Sequence, residues 1–245
     1  MFGDPFGDPI PTTPSRAAIP SAITEVRESI QRAAISAGRD PASVRLVGIT
    51  KTRTVDEIRQ ALDSGIEDLG ENYLQEARDK ARKLPGARWH MVGNLQKNKV
   101  NLAVDLFEVI HSLDSASLIS RLEARCAARR RNLVGLIQVT LGGEKTKKGL
   151  GPKKVLEMLD EVAKEPPEFL RLSGLMTIPP PVDDPEENRQ YFRELRETLD
   201  LILAKGYPFW SGSELSMGMS DDYLVAIEEG ATMIRLGRIL FGDRA

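Results

Sequence analysis

Eight short β-type runs separated by stretches of helical periodicity constrain this chain more than any other feature. The runs fall at residues 46–49, 66–69, 88–92, 106–111, 134–139, 172–178, 214–217 and 232–236. Between them, apolar residues keep amphipathic-helix spacing at 54–64, 74–84, 97–104, 116–130, 153–164, 186–205 and 221–229. Thr54 and Glu57 supply a capping box for the first of these. Strands alternating with helices pair in parallel, because a parallel neighbour needs a long crossover. Eight such units in 245 residues predict a closed (β/α)8 barrel of the TIM type rather than an open doubly wound sheet.

One more helical pattern, at 23–37, precedes the first strand and is stopped by Gly38. Little chain follows the last strand, leaving no room for an eighth outer helix. The N-terminal helix is therefore expected on the barrel wall near strands one and eight. Residues 1–20 carry a tandem FGDP followed by Pro, Thr and Ser, and read as a disordered tail ahead of a barrel domain at 21–245. A docking peptide anchored by the two Phe is the functional alternative for that tail.

Composition excludes several classes of function. A net charge of −2 gives no field that would draw nucleic acid or an anionic membrane. No apolar run is long enough to span a bilayer, and no signal-peptide pattern opens the chain. The single Cys126 forms no intrachain disulfide and suits a reducing compartment, so a cytoplasmic location is expected. Two His and one Cys lack metal-ligand spacing, so no His- or Cys-based metal site is expected, an all-carboxylate site being the alternative that composition leaves open. With no apolar stripe marking an interface, a monomer is expected.

A parallel barrel delivers the C-terminal end of every strand to one face, where active sites sit. The strand ends here carry Lys51, Asn72 and Tyr73, His90, His111, Met176, the loop from Ser216 through Gly218 and Met219 to Ser220, and Arg235, Gly237 and Arg238. Lys51 continues the alternation of Val47 and Ile49. A desolvated amine at that point suits Schiff-base chemistry, although position alone fits a solvent-directed lysine equally well. Two glycine-centred turns, at 216–220 and 237–238, flank the 221–229 helical pattern and have the layout of a phosphate cup. Arg235 sits inside an apolar run and requires a polar partner.

Amine, cup and guanidinium together describe a pocket for pyridoxal 5′-phosphate: aldehyde toward Lys51, phosphate toward the cup, pyridine nitrogen toward Arg235. Arg donates only, so it leaves that nitrogen unprotonated and the ring a weaker electron sink. The remaining polar residues carry plainer expectations. His90 reads as a hydrogen-bonded barrel residue without a sequence neighbour to orient it for proton transfer. Asp221 and Asp222 read as helix N-terminal carboxylates, Tyr73 and Tyr223 as packing, and the three arginines at 129–131 as a solvated helix end. Lys145, Lys147 and Lys148 fit either a solvated turn or a mobile basic loop that handles an anionic cofactor.

The motifs ITK (49–51), GENY (70–73), WHMVGNLQKNK (89–99), GLMTIP (174–179), SMGMSDD (216–222) and IRLGRILFG (234–242) closely resemble those of the pyridoxal phosphate homeostasis proteins of the YggS/PROSC type, in order and over nearly everything from residue 23 onward. The resemblance implies a barrel similar to the N-terminal domain of alanine racemase. It implies an internal aldimine on Lys51 and Arg235 facing the pyridine nitrogen. Asn72, Ser216, Ser220 and Gly237 belong to the implied pocket, which Met176, Gly218, Met219 and Arg238 complete. The implied role is binding and buffering pyridoxal phosphate, with apo-enzymes as acceptors and no substrate turnover. Arg238 departs from the pattern: many members have Thr or Ser there, so a hydroxyl contact to phosphate is lost. Two other readings stay open. A racemase on the same barrel is disfavoured because the chain stops at Ala245 without a second domain, and a cofactor-free Schiff-base aldolase leaves Arg235 without its ring partner.

Overall fold

The protein is described by a computed structural model covering residues 19–142 and 149–243. The FGDP repeats and Lys145, Lys147 and Lys148 lie outside the described residues. Eight parallel strands close into a barrel in sequence order: β1 (Arg45–Ile49), β2 (Asp68–Glu71), β3 (Arg88–Met91), β4 (Val109–Leu113), β5 (Leu133–Val139), β6 (Leu170–Thr177), β7 (Trp210–Ser216) and β8 (Met233–Leu236). Closure comes from β1 pairing with β8, Val47 lying opposite Arg235. The helices are α1 (Ile19–Ser36), α2 (Val55–Asp63), α3 (Leu74–Ala81), α4 (Val100–Leu106), α5 (Ala116–Arg129), α6 (Pro152–Val162), α7 (Arg189–Lys205), α8 (Tyr223–Glu228) and α9 (Arg238–Phe241).

The expected (β/α)8 architecture is the observed one, with differences at the element ends. Helix α1 begins at Ile19, inside the stretch assigned to the tail. Ile19 is fully buried, and Pro20 falls in the first helical turn, where the N–H it lacks would have no intrahelical partner. Ile66 is buried yet precedes β2, and the apolar pair Leu106 and Phe107 closes α4 rather than opening β4. Hydrophobic runs mark burial, and short ones do not separate strand from helix end. Helix α1 packs against α2, α8 and α9, the helices that follow β1, β7 and β8. The four-residue α9 supplies one helical turn after β8 where none was expected.

Most of the apolar core lies between the barrel and its helices. Inside the barrel the apolar set is small: Val47, Val109, Leu136, Met176 and Met233. The rest of the interior holds buried polar side chains, among them Asp68, His90, His111, Ser216 and Arg235. Unpaired, each would cost more than a kilocalorie per mole. Among the described residues no helix is long and apolar enough to cross a membrane.

Candidate cofactor site

The chain turns sharply after β1, and that turn positions Lys51. Thr52 adopts φ 66°, a left-handed conformation that a β-branched residue avoids. A buried charge cluster holds it. The Lys80 ammonium donates to the Thr50 carbonyl at 2.6 Å, to Glu71 at 2.6 Å and to Glu76 at 2.7 Å. The Thr52 N–H donates to the same Glu76 oxygen at 2.6 Å, and the Thr50 hydroxyl donates to Glu71 at 2.7 Å. Burial raises the Glu71 carboxyl above its ordinary value against the pull of Lys80 and Thr50.

Past this turn, Lys51 lines a cavity of about 490 Å3 together with Ile49, Arg53, Met219, Ser220, Asp221, Arg235, Gly237 and Arg238. The cavity is of ordinary small-molecule size. Arg53 is tied to the end of the chain, donating to the carbonyls of Phe241, at 2.9 Å, and of Gly242.

The first cup turn is shaped from below by Asp222. Its carboxylate accepts the Met219 N–H at 2.6 Å and the Asn188 amide at 2.8 Å, so it holds the loop rather than capping α8 through its side chain. Burial raises its carboxyl above the ordinary range despite those bonds. Gly218 takes φ 91°, and a Cβ there would lie 2.7 Å from the Ala226 Cβ. The N–H of Ile239 in α9 points to the Ser220 hydroxyl at 3.5 Å. Arg238 and Asp221, both on the cavity wall, pair with each other. The Arg238 guanidinium, which stands where many family members have a hydroxyl, is thus partnered by a carboxylate of the same rim.

Arg235 is 5% exposed. Its guanidinium donates to the Ser216 hydroxyl at 2.7 Å and to the Thr177 carbonyl at 2.8 Å. Burial pushes its pKa down to about 10, opposed by the charge of Asp222, so it remains a cation at neutral pH.

The cavity thus unites Lys51, Met219, Ser220, Arg235, Gly237 and Arg238, which were assigned from sequence. Four others sit elsewhere. Ser216 lies fully buried behind Arg235, Met176 belongs to the apolar barrel interior, and Gly218 shapes the turn from beneath. Asn72 lines a separate recess with Tyr73, Met91, Gly93 and Asn94, and a Cβ at Gly93 would lie 2.2 Å from the Asn72 carbonyl oxygen.

Plainer expectations also change. His90 does have orienting partners, Asp68 at 2.7 Å and His111 at 2.9 Å, contributed by neighbouring strands. Tyr223 packs as expected at 1% exposure, whereas Tyr73 is 65% exposed at the rim. At 129–131 the helix end is solvated as expected, Arg129 and Arg130 being exposed, and Arg129 pairs with Asp105 and the half-buried Arg131 with Glu108. Among the described residues no group of three or more His, Cys, Asp or Glu is arranged to hold a metal.

A parallel eight-stranded barrel with this rim defines a class: residues 27–245 match the family described as alanine racemase, N-terminal domain. A protein of Aquifex aeolicus named pyridoxal phosphate homeostasis protein is 41% identical over 226 residues, covering 91% of this chain and 96% of its own length. Its namesake in Pseudomonas aeruginosa is 41% identical over 225 residues, covering 91% and 94%. PipY of Synechococcus elongatus, solved with pyridoxal phosphate bound, superposes with a TM-score of 0.80 at 32% identity, over 91% of this chain and 100% of that one. The chain belongs to the pyridoxal phosphate homeostasis protein family.

Proposed function

We propose that this chain holds pyridoxal 5′-phosphate through a Schiff base on Lys51 and buffers or delivers it to apo-enzymes, without turning over a substrate of its own. The observation that carries the reading is the single cavity shared by Lys51, Arg235 and the turns at 219–220 and 237–238. Its donor set fits the cofactor. Lys51, Arg53, Arg235 and Arg238 outnumber Asp221 and Asp243 on its walls, as a phosphate ester requires.

The bound aldehyde supplies reversible condensation with an amine, water leaving as the C=N bond forms and returning when the cofactor is released. Lys51 is the amine, held by the Lys80 cluster at the end of β1. Ser220 and the two turns present the hydroxyl and backbone to the phosphate. Arg235 presents a donor to the pyridine nitrogen and gives it no proton, which restrains carbanion chemistry and suits a carrier.

Titration of purified protein with pyridoxal phosphate tests this. The expected result is a visible absorption band that is absent in Lys51→Ala, with no conversion of L- to D-alanine. Racemisation that scales with protein and is lost with Lys51 would overturn the carrier reading.

A further inference from the structure

Behind Arg235 the barrel interior contains an unbroken chain of buried polar side chains. Starting from the cavity, Arg235 donates to Ser216 at 2.7 Å. Ser216 Oγ lies 2.9 Å from His111 Nδ1, His111 Nε2 lies 2.9 Å from His90 Nδ1, and His90 Nε2 lies 2.7 Å from Asp68 Oδ1. Ser216, His111 and His90 are each 0% exposed. Asp68 begins β2 at the opposite end of the barrel. There Arg88 approaches it at 3.4 Å and Arg45 at 3.9 Å, and it lines an open cleft with Arg27, Arg45 and Glu67.

The two ends fix the direction of every bond between them. An arginine only donates and an ionised carboxylate only accepts. Asp68 therefore requires a proton on His90 Nε2. A ring with one proton then accepts at Nδ1, so His111 must donate from Nε2 and accept at Nδ1, and the acceptor left for the Ser216 proton is His111. The reversed order puts two donors on Ser216 Oγ and leaves its own proton without an acceptor in the chain.

We infer that Asp68, His90, His111 and Ser216 form a one-directional hydrogen-bond relay through the barrel that positions Arg235 for the cofactor's ring nitrogen, each histidine carrying its single proton on Nε2. This rests on the reading of Arg235 as the ring-nitrogen partner. The four are positioning residues, since none lines the Lys51 cavity. Removing the middle of the relay leaves the Ser216 hydroxyl without its acceptor, and Ser216 then no longer holds Arg235 in one orientation.

His90 and His111 are the only histidines in the chain, so nitrogen NMR of histidine-labelled protein reads the relay without ambiguity. At neutral pH both rings are expected to be protonated at Nε2 and bare at Nδ1, with or without pyridoxal phosphate. A proton on Nδ1 of either ring overturns the relay. The second measurement uses full-length His111→Phe. It is expected to form the borohydride-trapped adduct on Lys51 to the same extent as wild type, with a shifted visible band. Release of pyridoxal phosphate should be faster by roughly tenfold, the scale of one hydrogen bond to a charged group. A folded variant matching wild type in both band and release overturns the positioning role. Should the variant fail to fold, the NMR measurement on wild type still decides the relay. Absence of the adduct in wild type itself would refute the Schiff-base reading and leave the histidine tautomers standing as a separate result.

Discussion

Arg235 and Ser216 meet at 2.7 Å on adjacent strands of the barrel, the serine fully buried and the arginine reaching the cavity with only 5% of its surface exposed. The serine hydroxyl takes one guanidinium nitrogen and the Thr177 carbonyl takes another. Ser216→Ala removes the acceptor and leaves a buried N–H donor unpaired. The expected loss of folding free energy is about 1–3 kcal/mol, read by urea denaturation. An unchanged midpoint and slope would contradict the description of Arg235 as held by this contact.

The Lys80 cluster makes a different demand. Glu71 is 0% exposed and its carboxylate is met by Lys80 at 2.6 Å. Lys80→Met strands that charge, and the expected destabilisation is about 3–5 kcal/mol. Adding Glu71→Gln to it should recover a large part of the loss, because the uncompensated charge is then gone. Chemical denaturation of the two single variants and the double variant closes the cycle. Simple additivity would show that the pair is not coupled.

At Gly218 the backbone rather than charge sets the constraint. An alanine there meets a left-handed φ of 91° and contacts of 2.7 Å to the Ala226 Cβ and 3.0 Å to the Tyr223 Cα. The conformational penalty alone is about 1–2 kcal/mol. Gly218→Ala should therefore lower stability by at least that amount and speed amide exchange at 219–222, measured by hydrogen exchange. Unaltered exchange there would mean that the turn does not depend on glycine.

Acid stability follows from the relay. His111 titrates well below the ordinary histidine value of 6.5, first because it is buried and then because His90, Arg235 and Arg45 oppose its charging. The unfolded chain binds that proton below about pH 6.5 and the native state does not. Stability is thus fully present above this value and falls as pH drops below it, by up to about 1.4 kcal/mol per pH unit. Asp68 adds a second loss at lower pH. Burial acts to raise its carboxyl, but the His90 hydrogen bond and the charges of Arg88 and Arg45 outweigh this and hold it below 3.8. Denaturation midpoints between pH 7 and 5 test the first window. His111→Phe should flatten the slope there, and a slope that persists would assign it to another group.

The barrel was legible because strand–helix alternation and parallel pairing follow from apolar spacing alone. Lys51, Arg235 and the two glycine turns were legible for a related reason. Each breaks a local pattern: a lysine continuing an apolar face, an arginine inside an apolar run, glycines where apolar runs stop. The relay and the Lys80 cluster were not. Asp68, His90 and His111 lie on three strands and Lys80 on a helix, and their partners are set by strand register, which one sequence does not display. Asn72 was placed in the pocket by the family resemblance; in this structure it lines the adjacent recess, its backbone close against Gly93.

The most direct test of the whole account is borohydride reduction of the protein loaded with pyridoxal phosphate, followed by mass mapping of the peptides. A single reduced phosphopyridoxyl adduct on Lys51 is the expected result, with loss of the visible band and no adduct on Lys80. Complete loading with the adduct on another lysine, or with no covalent adduct at all, would contradict the assignment of this cavity.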